Sequence, residues 1–94
     1  MKLIHIEGYL YDEGKPISFP NDESELSFIK YHYNENRNEL NRIDSLEMKY
    51  PIDIKNKEEA QNNINALEAY MTFHNISANV NENDGTIEFE GMQR

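Results

Sequence analysis

Along residues 56–75 (NKEEAQNNINALEAYMTFHN), Ala60, Ile64, Leu67, Met71 and His74 recur at spacings of four, three, four and three. That rhythm puts them on one stripe of a helix. Tyr70 and Phe73 widen the stripe, while Gln61, Asn62, Asn65 and Glu68 fall on the polar side. Asn56 stands where an N-cap belongs, and Glu59 comes three residues later, as a capping box requires.

Elsewhere the period is two. In residues 2–11, Ile4, Ile6 and Leu10 share one face with Gly8 between them. Leu3, His5, Glu7, Tyr9 and Tyr11 share the other, so the spacing predicts one strand. Asp12 to Lys15 reads as a turn. Pro16 to Pro20 reads as a short return strand with Ile17 and Phe19 inward, at a sheet edge because proline cannot donate to a ladder. Near the C-terminus, Ile76, Ala78 and Val80 point one way, Asn81 to Gly85 (NENDG) turns, and Ile87 and Phe89 rejoin the apolar face. Thr86, Glu88 and Glu90 line the opposite face.

Residues 25–54 support two readings. A helix starting at Asp22 would align Leu26, Ile29, Tyr33, Leu40 and Ile43. A hairpin would alternate Ile29, Tyr31 and Tyr33, turn at Asn34–Asn38 (NENRN), and return through Leu46, Met48 and Tyr50. The β-favouring aromatics Phe28, Tyr31 and Tyr33 and the central asparagines tip the balance to the hairpin. Pro51 ends that segment, and Ile52 and Ile54 lead into the helix. The expected architecture is α+β: a small, mostly antiparallel sheet of two to three hairpins, packed against one main helix over 56–75. At 94 residues the chain is expected to be one domain, 1–94.

Charge changes the functional picture most. Eighteen acids against nine bases give a net −9. Such a chain repels nucleic acid and anionic membranes and attracts basic surfaces. The imbalance is steepest in residues 21–48, with seven acids against three bases, and in 76–94, with four against one. There is no cysteine, which excludes disulfides, thiolate metal sites and cysteine nucleophiles. The N-terminus meets charge at Glu7 and lacks the apolar core of a signal peptide, so a reducing cytoplasm is the expected compartment. No run approaches a membrane span.

Catalytic motifs are missing: there is no GxSxG, HExxH or glycine-rich phosphate loop, so no catalytic residues and no enzyme are expected. His5, His32 and His74 show no metal-ligand spacing. Asn79, Asn81, Asn83 and Asp84 resemble a calcium loop with Glu90 at its twelfth position, but Gly85 comes one place late and a plain hairpin turn fits better. No metal and no cofactor are expected. Tyr9 with Tyr11, and Tyr31 with Tyr33, would each share a strand face and serve as aromatic anchors. Base-stacking platforms carry a basic rim that this chain lacks. Glu88 and Glu90, about 6.8 Å apart along one strand face, extend through Glu82 and Asp84 into an acidic row spaced like backbone phosphates. The expected function is a non-enzymatic protein-binding domain facing a basic partner. Its concrete form is an inhibitor of a nucleic-acid-handling protein, of the kind phages and mobile elements encode. A self-associating accessory domain, a homodimer paired through strand edges, is the alternative.

Overall fold

A computed structural model describes residues 1–90. Its elements run β1 (Leu3–Ile6), β2 (Tyr9–Asp12), β3 (Lys15–Pro16), α1 (Asp22–Asp44), α2 (Pro51–Phe73), β4 (Asn79–Val80) and β5 (Ile87–Glu88). The fold is mixed α+β. A three-stranded antiparallel sheet, ordered β1-β2-β3, packs mainly on α2, and the β4–β5 hairpin packs on α1. The two helices pair with each other and share one core. No helix of the described residues is long and apolar enough to cross a membrane.

The predicted hairpin over 26–46 is a helix. Leu26, Ile29, Tyr33, Leu40 and Ile43 are all buried, so the 3.6-residue stripe overrides the β-propensity of the aromatics. Asn21 caps α1, its Oδ1 accepting the Ser24 N–H at 2.8 Å, and Asp22, Glu23 and Glu25 favour the positive end of the helix dipole. The central asparagines are not turn formers. Asn34 donates to the Ile87 carbonyl and Asn36 accepts from Asn63, contacts outside α1 that offset their weak helix propensity.

α2 starts five residues earlier than Asn56. Pro51 begins the helix instead of closing the preceding segment, because the first helical N–H has no partner to lose. Asp53 accepts the Tyr50 N–H at 2.9 Å, so the cap lies at Tyr50 and Asn56 is interior. The predicted stripe holds as far as Met71: Ala60, Ile64, Leu67, Tyr70 and Met71 are buried, and Gln61, Asn62, Asn65 and Glu68 are exposed, whereas His74 is half-buried and caps the helix after Phe73. Phe73 does not join it and is 58% exposed. At the C-terminus, Asn75 takes φ +57 and the Ile76 N–H reaches the Met71 carbonyl at 2.8 Å, the six-to-one bond of a Schellman cap.

The first predicted strand is two strands. Glu7-Gly8 and Glu13-Gly14 form two-residue turns with positive φ at both residues (48° and 88°, then 50° and 83°), the type I′ requirement. A turn at 7–8 reverses the facing of the residues beyond it. Leu3, His5 and Leu10 point toward the helices, whereas Ile4, Ile6, Tyr9 and Tyr11 share the outer face. The C-terminal hairpin turns where expected, with Gly85 at φ +76 and the Asn81 N–H bonded to the Thr86 carbonyl at 2.8 Å. Ile76 and Ala78 pack inward, but Val80 is 60% exposed.

Candidate protein-contact surface

Because the side-chain period of a strand is two, the β1–β2 register decides what solvent sees. Ile4 lies opposite Tyr11 and Ile6 opposite Tyr9, and Pro16 of β3 stands beside Tyr11. Every strand residue on this outer face is apolar or aromatic, in a chain where 29% of residues are charged. Ile4, Ile6 and Tyr9 are each more than half exposed, and Tyr11 is half-buried. Cross-strand pairs of an aromatic with a β-branched residue stabilise the hairpin by about 0.2–1 kcal/mol each. They do not explain why both members stay in water. The opposite face is fixed against the core by Leu3 and Leu10, so the outer face is rigidly presented.

The edges of both sheets are closed by asparagines from the helices. Asn63, buried in α2, accepts the outward Leu3 N–H at 2.8 Å and donates to the Met1 carbonyl at 3.3 Å. Asn34 of α1 treats β5 the same way, donating to the Ile87 carbonyl at 2.9 Å and accepting its N–H at 2.6 Å. Each amide takes the place of an absent neighbouring strand. On the far side of the first sheet, β3 is two residues long and ends in Pro16, which has no N–H to offer.

The sequence-derived anchors separate. Tyr9 and Tyr11 share the sheet face. Tyr31 and Tyr33 share nothing, because two residues on a helix lie about 200° apart. Tyr31 is exposed on α1, where its hydroxyl bonds Glu35 and its ionisation is pushed up by that carboxylate. Tyr33 is buried under the Arg37 guanidinium, which sits 5.6 Å from its ring centroid. The acids do not form a single strand row. Strand pairing stops at Glu88, so Glu90 lies beyond it, although Ile87 and Phe89 are buried and Glu88 and Glu90 exposed as alternation demands. Glu88 pairs with Lys30 at 2.6 Å. Asp84 accepts the Thr86 N–H and hydroxyl, which holds its carboxyl below the usual range, and its carbonyl accepts from Asn41. Glu82 is exposed at the hairpin tip. Asn81 Oδ1 accepts the Asn83 and Asp84 N–H groups, so the oxygens a calcium loop would need face their own backbone.

A second constellation is a groove of about 340 Å³ between the helices, lined by His32, Glu35, Glu39 and Glu59, with the N-terminal amine 3.7 Å from Glu59. Burial holds His32 below the ordinary imidazole range. Among the described residues, no group of three or more histidines and acids is placed to hold a metal ion. Sequence reasoning missed Ile4 and Ile6, and the signal was present: Glu-Gly occurs twice between alternating segments, at 7–8 and 13–14. No protein-family model, curated protein or solved structure matches the chain.

Proposed function

We propose that the chain is a non-enzymatic protein-binding domain that docks a basic partner through the outer face of its N-terminal sheet. The observation that supports this most is the uncharged block made by Ile4, Ile6, Tyr9 and Tyr11. Interface cores are depleted of charge and enriched in tyrosine, which brings a large contact area at little conformational cost. Net charge selects the occupant. At −9, a second copy is repelled and a basic surface attracted, and the field acts over about 8 Å at physiological salt. The most concrete partner is a nucleic-acid-handling protein inhibited by occupation of its basic surface, as phage and mobile-element proteins do to host nucleases. In this reading Glu82, Asp84, Glu88 and Glu90 contribute field, with Glu88 partly screened by Lys30. Self-association through strand edges has less support, because Asn63 and Asn34 already occupy β1 and β5.

Affinity capture from source-cell lysate at low and moderate salt tests the reading, with wild type and the Ile6→Ser/Tyr9→Ala double variant side by side. The expected result is one dominant basic protein, recovered less as salt rises and lost in the variant. Equal recovery by the variant, or a wild type that captures only itself, would sink it.

A further inference from the structure

The backbone of Gly8 is held on both sides of its Cα by imidazoles. Its N–H donates to His5 Nε2 at 2.9 Å, and its carbonyl accepts from His74 Nε2 at 2.8 Å. Gly8 is buried at φ +88 in the β1–β2 turn, and the Phe73 ring occupies the place a Cβ would take. A carbonyl can only accept, so neutral His74 carries its proton on Nε2. An amide N–H can only donate, so His5 offers a bare Nε2 lone pair and carries its proton on Nδ1. The two rings therefore do opposite jobs on the two peptide groups that flank the Gly8 Cα, and acid treats them differently. Protonation leaves the His74 donor in place. At His5 it fills the lone pair and sets two N–H groups against each other.

We propose that His5 makes the β1–β2 turn a pH-sensitive element. With His5 neutral, the turn is clamped to the end of α2. With His5 protonated, the Gly8 N–H loses its acceptor and the turn loosens, along with Ile6 and Tyr9 that flank it. Imidazole is the side chain whose ordinary charge change lies between about pH 5 and 8. From α2, Tyr70 and Phe73 face His5 with ring centroids at 6.3 and 5.7 Å, and the His74 ring lies tilted against Tyr70 at 4.3 Å. Glu25 of α1 is hydrogen-bonded to the Tyr70 hydroxyl, Leu10 of β2 lies across from His5, and Glu7 sits close by in the exposed turn. His74, Glu25 and Glu7 are therefore the titratable groups closest to the clamp, and none of them supplies the Gly8 N–H with another acceptor. His5 is a positioning residue. The consequence for binding rests on the sheet face being the contact surface; the switch itself does not.

The experiment uses the ¹⁵N-labelled full chain without partner, from pH 8 to pH 5. Long-range imidazole spectra read the tautomers, and amide exchange corrected for its intrinsic pH dependence reads the clamp. Expected at pH 8 are an unprotonated Nε2 on His5, a protonated Nε2 on His74 and a protected Gly8 amide. As His5 titrates, Gly8 protection falls about tenfold, the size of one lost hydrogen bond. His5→Gln keeps an acceptor that does not titrate, so Gly8 protection becomes independent of pH. His74→Gln keeps the donor, so acid loosening still tracks His5. A protonated His5 Nε2 at pH 8, constant Gly8 protection through the His5 titration, or unchanged acid loosening in His5→Gln would each overturn the proposal. Failure of partner capture with this pH response intact would remove only the binding reading.

Discussion

Asn63→Ala removes the side chain that closes the β1 edge. Asn63 is 3% exposed and makes three hydrogen bonds, to the Leu3 N–H, the Asn36 Oδ1 at 3.1 Å and the Met1 carbonyl. The Leu3 N–H is the costly one. Leu3 is itself 3% exposed, so water cannot replace the lost acceptor, and an orphaned buried donor costs about 1–3 kcal/mol. Asn36 is half-buried and the Met1 carbonyl lies near the surface, so together they add roughly 0.5–1 kcal/mol. The better helix propensity of alanine returns about 0.6 kcal/mol. The expected net loss is about 2 kcal/mol, a large share of the roughly 5–14 kcal/mol that holds a domain this size. Asn62→Ala is the matched control, one residue away, exposed and with the same propensity gain. Urea unfolding should give the two variants equal m-values, midpoints on opposite sides of wild type, and a faster Leu3 amide exchange only in Asn63→Ala. Equal stabilities, or an unchanged Leu3 amide, would refute the edge-sealing role.

The turns and the C-terminal hairpin lead to three further expected outcomes. Glu13→Asn places a residue that tolerates positive φ at the first position of the second type I′ turn, and should raise Tm by roughly 2–6 °C in a thermal scan. The Asp84 carboxyl is held low by the Thr86 N–H, so its contribution is present above the ordinary carboxylate pKa of about 4 and is lost as pH falls below that value through the lowered folded one. Protection of the β4–β5 amides, corrected for the intrinsic pH dependence of exchange, should therefore fall in acid, and Asp84→Asn should flatten that dependence. Lys30 and Glu88 are both substantially exposed, so a double-mutant cycle on their ion pair should return no more than about 1 kcal/mol in urea unfolding.

α2 was legible because the stretch from Ala60 to His74 repeats one apolar period without a break. α1 was not, because Tyr31, Tyr33 and the NENRN stretch carry β and turn propensities that local reasoning weighs against a sparse stripe. Those asparagines are polar for a tertiary reason: Asn34 serves β5, and Asn36 donates to the His32 carbonyl and accepts from Asn63. No sequence window contains Ile87 or Asn63. The candidate contact face was half legible. Tyr9 and Tyr11 lie on it, but the assumption of one unbroken strand put Ile4 and Ile6 on the face opposite them, and the missed turn at Glu7-Gly8 brings the four together. The acid row failed for a different reason. Alternation correctly placed Glu88 and Glu90 outward, yet it carries no information on Lys30, 58 residues away, or on the turn that engages Asp84.

Radical footprinting of the complex with the captured partner tests the contact face most directly, because it reads side-chain exposure in the intact chain. The expected result is strong protection of Ile4, Ile6, Tyr9 and Tyr11, with Tyr31 and Met48 labelled as in the free protein. Protection confined to the β4–β5 hairpin or to α1, with the sheet face still labelled, would contradict the account and return the acidic surface as the contact.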